Sequence, residues 1–218
     1  MILAVTNQKG GVGKTTTVMN IGAFLAKRKK KVLLVDLDPQ ANLSSGLLDI
    51  KTQGNKNNIY DLLINKTDVE MIVKPTRLKG LNLIPSGIEL AGAEVELVSA
   101  LSRENILKRG LEKIANQYDF VLIDCPPSLG LLTVNGLVAA EKVLIPVQSE
   151  YYALEGLGQL INTIKMIKST LNPGLDIGGV ILTMFDSRTN LSKDVATELK
   201  NFFEDKLFTS VIPRSIRL

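Results

Sequence analysis

The stretch NQKGGVGKTTT, residues 7–17, decides the fold class of this chain. It follows the short apolar run 2–6 and precedes a stretch with helical periodicity that begins near Lys14. A strand, a glycine-rich turn and a helix, with Gly-Lys-Thr at the end of the turn, form the pattern of a phosphate-binding loop. That pattern normally has a glycine at position 8, where this chain has Gln8, and a second lysine, Lys9, follows.

Each residue type in this loop has a physical reason for its place. Glycines let backbone N–H groups close around phosphate oxygens, and the N-terminus of the following helix adds a favourable dipole. Lys14 is expected to reach the β- and γ-phosphates, the Thr15 hydroxyl to ligate Mg²⁺, and Thr16 to touch the α-phosphate. The expected nucleotide-binding residues of the loop are Gly10, Gly11, Val12, Gly13, Lys14, Thr15 and Thr16.

Short β-branched runs alternate with longer helical patterns along the rest of the chain. We expect strands at 2–6, 31–36, 81–85, 120–124, 142–147, 178–184 and 208–212. We expect helices at 14–28, 96–116, 128–140, 152–171 and 190–206. This alternation predicts an α/β fold like that of P-loop NTPases, a mostly parallel, twisted sheet of about seven strands flanked by helices on both faces. No linker divides the chain, so we interpret residues 1–218 as a single domain.

Composition excludes several kinds of site. The chain has no histidine and one cysteine, which excludes a Ser-His-Asp triad, a histidine-ligated metal and a cysteine-rich zinc site. The formal net charge of +4 favours an anionic partner without identifying it. The first residues lack the basic region and the long apolar run of a signal peptide, so a cytoplasmic location is expected.

Three aspartates lie at the ends of two predicted strands. Asp36 and Asp38 stand in VLLVDLDPQ, and Asp124 stands in FVLIDCPPS. The carboxyl ends of parallel strands form the ligand-binding edge of such a sheet, so these carboxylates are candidates for magnesium binding and catalysis. With no histidine in the chain, a carboxylate is the natural group to activate water. Asp36 has two interpretations, support of the Mg²⁺ shell and capping of the strand end.

The lysine that precedes the paired glycines in KGGVGKT points to a known superfamily. This stretch resembles the deviant Walker A signature of the dimeric ATPases that include ParA/Soj partition proteins, MinD and the nitrogenase iron protein. The single cysteine, Cys125, argues against the iron protein, which contributes two cysteines per subunit. The stretches that resemble ParA/Soj proteins cover nearly the whole chain: DLDPQANLSSG (36–46), DCPPSLGLLTVNGL (124–137), SEYYALEGLGQL (149–160), LTMFDSRTNLS (182–192) and VIPRSIRL (211–218).

The resemblance to ParA/Soj proteins implies an ATPase with ATP and Mg²⁺ as cofactors, slow on its own and stimulated by a ParB-like partner protein. It implies an ATP-dependent homodimer in which Lys9 contacts phosphate bound by the partner subunit. The dimer is then expected to bind double-stranded DNA non-specifically, and hydrolysis to release it, in a cycle that segregates chromosomes or plasmids. Such a protein is cytoplasmic and nucleoid-associated, with no membrane partner expected.

The same resemblance assigns roles to individual residues. Lys9, Lys14 and Asp38 are the expected catalytic residues, with Asp38 positioning the attacking water. The metal is expected to contact Thr15 directly and Asp124 through a water, and Asp38 is a further candidate for a contact through water. Candidates for the adenine pocket are Met184, Phe185 and Pro213, although ordinary core or turn roles explain each of them equally well. The arginines expected to contact DNA phosphates are Arg188, Arg217 and, more weakly, Arg214.

Two other functions stay open. A MinD-like, membrane-associated division-site ATPase shares the ATP dimer but binds lipid instead of DNA. A metabolic enzyme with the same loop, such as an ATP-dependent ligase, phosphorylates a small substrate. The basic run KRKKK (27–31) lies where the first helix should end and is interpreted as complementing the helix dipole. Family members normally continue beyond VIPRSIRL, so a C-terminal segment typical of the family is expected to be missing.

Overall fold

A computed structural model of the chain describes residues 1–48, 57–150 and 153–215, the side chains of 153–155 excepted. Within these ranges, the strands are β1 Ile2–Val5, β2 Val32–Asp36, β3 Lys74–Pro75, β4 Leu81–Ile84, β5 Phe120–Asp124, β6 Lys142–Gln148, β7 Asp176–Phe185 and β8 Leu207–Pro213. The α-helices are α1 Lys14–Lys27, α2 Asn42–Leu47, α3 Ile59–Leu63, α4 Val69–Ile72, α5 Leu90–Glu96, α6 Ile106–Glu112, α7 Leu131–Ala139, α8 Ala153–Thr170 and α9 Asn190–Phe203.

The strands form one sheet in the order β3-β4-β2-β5-β1-β6-β7-β8. Neighbouring strands are parallel except β3 and β4, which pair antiparallel at one edge. All seven predicted strands are present, and the eighth is the two-residue strand β3. The register pairs Asp36 with Asp124, so the strand-end carboxylates meet at the carboxyl edge of the sheet. The expected α/β fold with a mostly parallel sheet is confirmed.

Helices cover both faces of the sheet because the central strands are apolar on both sides. On β2, Leu33 and Val35 pack into one buried cluster, which also contains residues of α6, α7, α8 and α9. Leu34, between them, points into a second cluster with Val18 of α1. Every residue of β2 is buried. Strands buried on both faces form continuous apolar runs, which is why the sequence identified them.

The prediction of a continuous helix at 96–116 is wrong. In the structure α5 ends at Glu96, short 3₁₀ turns follow, and α6 begins only at Ile106. Ser102 has a left-handed backbone with φ 52°, which no continuous helix contains. The buried side chain of Asn135, on α7, stabilises this break: its Oδ1 accepts the Leu107 N–H at 3.2 Å and its Nδ2 donates to the Arg103 carbonyl at 2.9 Å. A tertiary contact therefore overrides the local helical pattern.

Of the helices in the described ranges, none combines the length and the apolar character needed to cross a membrane.

Asn172, in the turn between α8 and β7, ties that turn to the end of α7. Its buried Nδ2 lies 3.1, 3.1 and 2.7 Å from the carbonyl oxygens of Leu137, Val138 and Ala140. We expect Asn172→Ala to lower the free energy of unfolding by about 1–3 kcal/mol, because these carbonyls lose their donor away from water. Urea denaturation measures the change. The exposed Asn65 provides the control, and Asn65→Ala should cost less than about 0.5 kcal/mol; equal losses would contradict the proposed role.

Candidate active site

The loop between β1 and α1 has a backbone that glycine alone adopts easily. Gly13, the N-cap of α1, has φ 88°, and Gly11 has φ 73°. Both values lie in the left-handed region, where a residue with a side chain is strained by about 1–2 kcal/mol. Gly10 has no such φ, and a Cβ built there meets no atom within 4 Å among the described residues. A side chain at position 10 would therefore meet neither backbone strain nor a neighbouring atom of the described residues.

The backbone amides of this loop form an anion-binding concavity. Side chains of β6 and β7 hold its carbonyls from behind: the Thr183 hydroxyl donates to the Val12 carbonyl at 2.9 Å, and the Gln148 amide donates to the Gly11 carbonyl at 3.4 Å. In the part of the chain that the structure describes, the N–H groups of Gly10, Gly11, Val12 and Gly13 have no hydrogen-bond acceptor. Consecutive unpaired amides at a helix N-terminus are suited to phosphate oxygens.

Lys14 lies with its side chain inside the loop. Its Nζ donates to the carbonyl of Lys9 at 3.2 Å, and the residue is almost fully buried. Burial lowers the pKa of Lys14, and the nearby charges of Asp124 and Asp38 partly oppose that shift. The amine is therefore held at the centre of the amide concavity, and a bound anion would favour its charged form.

Asp124, at the end of β5, is a buried carboxylate without a partner. Neither of its oxygens accepts a hydrogen bond from the residues in the described ranges. Burial raises the pKa of Asp124 to about 7, although the neighbouring Thr15 hydroxyl and the Lys14 charge act in the opposite direction. An orphaned carboxylate beside a hydroxyl at a phosphate loop fits a hard divalent cation such as Mg²⁺. Among the described residues, no group of three or more acidic or sulfur ligands is arranged to hold a metal ion.

Asp36 lies opposite Asp124 in the register of the neighbouring strands β2 and β5. Both of its carboxylate oxygens accept hydrogen bonds from residues that follow β2. Its Oδ2 accepts the Ser44 hydroxyl at 2.7 Å and the Ser44 N–H at 2.9 Å, and its Oδ1 accepts the Asp38 N–H at 3.1 Å. The Ser44 hydroxyl accepts in turn from the Ser86 N–H at 2.9 Å. Burial raises the pKa of Asp36 to about 6. Of its two interpretations, these contacts support the structural one, because Asp36 fastens the start of α2 to the end of β2.

Asp38 lies in an open cleft of about 690 Å³ together with the loop. The lining of the cleft also includes Thr15 from α1, Asn42 from α2 and Pro127 from the segment after β5. Asp38 is half-buried, and its Oδ1 accepts the N–H of Gln40 at 2.9 Å. The hydrogen bond orients the carboxylate at the cleft wall, where it can accept a proton from a water.

Lys9 is directed away from this cleft. Its Nζ lies 2.6 Å from Oε2 of Glu150, in the segment after β6, and Lys9 is not among the residues that line the cleft. The neighbouring Gln8 donates to Gln159 of α8 at 3.0 Å. The two lysines of the loop therefore differ in direction: Lys14 lies over the amide concavity, and Lys9 lies outside it.

Comparison with known proteins identifies the family. A family model described as an AAA domain matches residues 1–177. The sporulation initiation inhibitor protein Soj of Bacillus subtilis is 55% identical, over 100% of this chain and 85% of its own length. The chromosome-partitioning ATPase Soj of Treponema pallidum is 50% identical, over 99% of this chain and 84% of its own length. The chain belongs to the ParA/Soj family of chromosome-partitioning ATPases.

A solved structure of similar fold carries ligands in its crystals. Cobyrinic acid a,c-diamide synthase from Mycobacterium smegmatis, with bound ATP analog and magnesium, has a TM-score of 0.91 and 43% identity. The match covers 98% of this chain and 87% of that one. This structural match confirms the P-loop NTPase-like fold, and the Soj relatives confirm the resemblance to ParA/Soj proteins found in the sequence.

The three adenine-pocket candidates of this ParA/Soj chain lie in different environments. Met184, at φ 51°, lines the cleft, and the Gln148 amide donates to its sulfur at 2.7 Å. Phe185 is half-buried against the core, and Pro213 pairs with it across β7 and β8. Neither Phe185 nor Pro213 is among the residues that line the cleft. Their contact with a base stays a prediction.

Of the arginines predicted to contact DNA in this ParA/Soj chain, Arg188 is already paired with an acidic side chain. Arg188 forms a two-pronged contact with Asp186, at 2.9 Å from Nε and 2.7 Å from the terminal nitrogen, and its side chain is 87% exposed. That contact holds the pKa of Asp186 well below its usual range. Arg214 is exposed, and Arg217 lies outside the described residues. Asp186 therefore neutralises part of the positive charge at this end of the sheet.

Sequence reasoning missed the residues that hold the loop of this ParA/Soj protein. Thr183 and Gln148 lie 171 and 137 positions from their loop partners, and no local motif marks them. The parallel strand pattern contains the available signal, because both residues stand near the carboxyl ends of β6 and β7, the next two strands on one side of β1.

The raised pKa of Asp124 predicts a pH-dependent effect of its removal. An unfolded aspartate ionises near pH 4 and the folded one near pH 7, so between these values the unfolded chain binds fewer protons and stability falls as pH rises. We expect Asp124→Asn to raise the melting temperature of the protein in EDTA by roughly 5–15 °C at pH 8 and by only about 2 °C at pH 4.5, close to the pKa of an unfolded aspartate. Calorimetry at both pH values measures this. The exposed Asp205 provides a control in Asp205→Asn, and an equal shift of Asp124→Asn at both pH values would refute the assigned burial cost.

Proposed function

We propose that this chain binds ATP and Mg²⁺, forms a nucleotide-dependent homodimer that binds double-stranded DNA non-specifically, and releases the DNA after hydrolysis. The observation that carries the proposal is the division of labour between the two lysines of the loop. The Lys14 amine lies inside its own loop, 3.2 Å from the Lys9 carbonyl, and in our proposal it holds the phosphates of its own subunit. A second cation at the same loop contributes most when it reaches the nucleotide of another subunit, as an arginine finger does.

The contact that holds Lys9 within its own subunit is weak enough to be exchanged. The side chains of Lys9 and Glu150 are 39% and 54% exposed, and exposed ion pairs contribute only about 0.2–1 kcal/mol. A triphosphate carries more negative charge than one carboxylate, and in a closed interface its attraction for an ammonium group is less screened. Lys9 therefore exchanges Glu150 for the partner's phosphate when two nucleotide-bound subunits meet.

The chain's own groups supply the remaining steps of the proposed reaction. The amides of 10–13 and the Lys14 amine hold the phosphates, while Thr15 and, through a water, Asp124 hold the cation. Bound Mg²⁺ would neutralise charge that develops on the phosphate oxygens. Asp38 orients the attacking water and accepts its proton, because its carboxylate is fixed by the Gln40 N–H at the cleft wall.

DNA binding by the proposed dimer depends on arginine side chains and on the presence of two subunits. Arg188, Arg214 and Arg217 would contact phosphates, and such contacts position a protein without reading bases. One subunit would bind with a non-specific dissociation constant of roughly 10⁻⁴–10⁻⁶ M. Two subunits joined by nucleotide raise the avidity through effective concentration. The relatives named for chromosome partitioning support DNA as the polymer. The ParB-like stimulating partner of the proposal follows from the resemblance of the sequence to ParA/Soj proteins.

The test of the proposed function measures size and DNA binding in each nucleotide state. We expect a monomer with ADP, a dimer with a non-hydrolysable ATP analogue, and retention of a random-sequence duplex by the dimer alone at 150 mM salt. Binding of the dimer to anionic vesicles rather than DNA would favour a MinD-like function. A second candidate function comes from the Mycobacterium smegmatis synthase of similar fold. Turnover that required cobyrinic acid would favour that function.

Variants of the Lys9–Glu150 pair test the role of Lys9 across the interface. We expect Lys9→Ala to bind ATP normally but to stay monomeric. We expect Glu150→Gln, which frees Lys9, to tighten the ATP-dependent dimer by up to about fivefold, the value of an exposed ion pair. Analytical ultracentrifugation measures both, and Lys66→Ala, at an exposed lysine outside the cleft, is the control. A weaker dimer from Glu150→Gln would mean that Glu150 acts within the dimer instead of holding Lys9 back.

Asp38→Ala tests the proposed water-positioning residue. We expect turnover to fall by about 10²–10⁴-fold, the usual contribution of a general base, while the ATP-bound dimer still forms and accumulates. Phosphate release and sedimentation measure the two properties separately. Gln40→Ala is the matched control, because it keeps the backbone N–H that orients Asp38 and should leave turnover close to that of the unchanged protein.

A further inference from the structure

A further open cavity lies between α3 and α6, and it shares no lining residue with the nucleotide cleft. Its volume is about 680 Å³, close to that of the cleft. Residues of the turn after α5 also line it, and we call it the α3–α6 groove. Its apolar lining includes Leu62, Leu63, Ile64, Leu97, Leu101 and Ile106.

The floor of the α3–α6 groove is held in place by close helix packing. Its buried members are Leu62, Leu63 and Leu97. A Cβ on Gly110 of α6 would lie 2.9 Å from a methyl group of Leu62 on α3, so the two helices approach as closely as a glycine allows. Leu62 and Leu63 also belong to the large buried cluster of the fold. The groove is therefore part of the packed fold and is formed before any ligand binds.

Leu101 extends the apolar surface of the groove into solvent. Its side chain is 92% exposed, although it lines the groove. The backbone at this point is fixed, because Ser102 has a φ of 52° and Asn135 hydrogen bonds to Arg103 and Leu107 just beyond it. A large apolar side chain that continues an apolar groove, on a backbone fixed by buried hydrogen bonds, indicates an interaction surface.

The charged residues in the lining of the groove are three cations and one acid: Lys66, Arg109, Lys113 and Glu96. Lys113 is paired with Asp68 at 3.3 Å. Arg109 and Lys66 are exposed, and in the ranges that the structure describes neither forms an ion pair. The groove thus combines an apolar floor with two cations that are available to carboxylates of another molecule.

We propose that the α3–α6 groove docks an acidic amphipathic helix of a partner protein. Apolar side chains spaced at i, i+3, i+4 and i+7 along such a helix fill an apolar groove, and here they also cover Leu101. Carboxylates beside that apolar stripe pair with Arg109 and Lys66. Charge complementarity of this kind steers association and disfavours basic segments.

Other anionic ligands fit the α3–α6 groove less well than an acidic helix. The backbone of DNA supplies phosphates for the two cations but no apolar side chains for the floor. A lipid bilayer takes up apolar side chains that protrude from a helix face, whereas the floor of this groove is recessed between two helices. The combination of apolar and acidic groups is therefore what selects the ligand.

This contact goes beyond the proposed function. None of the arginines assigned to DNA lines the groove, and no residue of the groove lines the nucleotide cleft. Docking therefore requires neither nucleotide nor DNA. It adds a protein ligand to a chain whose other proposed ligands are a nucleotide, a metal ion, a second subunit and DNA.

The test of charge uses the nucleotide-free protein and two fluorescein-labelled synthetic peptides with leucines at i, i+3, i+4 and i+7. One peptide has glutamates at the flanking positions and the other has lysines there. By fluorescence anisotropy at 50 mM salt, we expect the glutamate peptide to bind at least about tenfold tighter. The variant Arg109→Glu, Lys66→Glu should bind the glutamate peptide about tenfold more weakly, the value of two exposed ion pairs, and should bind the lysine peptide more tightly.

A matched variant separates the groove from the net charge of the protein. Lys165→Glu, Lys200→Glu makes the same change in net charge at two exposed lysines outside the groove. We expect this variant to bind the glutamate peptide within about twofold of the unchanged protein, because screened charges at a distance contribute little.

Leu101→Ser tests the apolar part of the groove. We expect about tenfold weaker binding of the glutamate peptide, because an apolar side chain of this size no longer leaves water on docking. Met166→Ser, at an exposed methionine on α8 outside the groove, is the control and should keep the affinity. Circular dichroism checks that each variant is folded.

Three results would overturn the proposal: no binding of the glutamate peptide, equal losses in the groove variant and its matched control, and unchanged affinity in Leu101→Ser. Self-association of the nucleotide-free protein that disappears in Leu101→Ser would assign the groove to a second copy of the chain instead. The ATP-dependent dimer should form equally in the groove variants, so a failure of the proposed function appears in sedimentation and a failure of the groove in anisotropy.

Discussion

The hydrogen bonds from Thr183 and Gln148 to the carbonyls of the phosphate loop are the contacts on which the site depends. They turn the carbonyls toward the sheet, so the amides of the same residues face the cleft. The two donors stand on β6, which is next to the strand that leads into the loop, and on β7, which is one strand further along the sheet. The shape of the loop is therefore set by the order of the parallel strands as well as by its glycines.

The site is built at a cost in stability. The described amides of 10–13 have no acceptors, Asp124 is buried without a donor, and Lys14 is buried with a lowered pKa. Burial makes the charged forms of Asp124 and Lys14 less stable here than in water. A ligand that pairs them recovers this free energy, and any ligand that binds only the folded state stabilises the fold.

Local patterns in the sequence predicted most of the fold and the phosphate loop. Buried parallel strands are continuous apolar runs, and the spacing of glycines and lysine in 7–17 is specific, so both were identified without tertiary information. The break between α5 and α6 was not, because it depends on Asn135 from a different helix. The same holds for the contact of Lys9 with Glu150, since side-chain partners distant in sequence leave no periodic signal.

The exposed pair between Lys9 and Glu150 gives ionic strength two opposite effects. Added salt screens this pair strongly, whereas an ammonium enclosed between two subunits is screened much less. Salt should therefore release Lys9 for the partner while it weakens every contact with DNA phosphates. A buffer that favours assembly of the dimer thus disfavours its attachment to DNA, so the two properties are best measured at different salt concentrations.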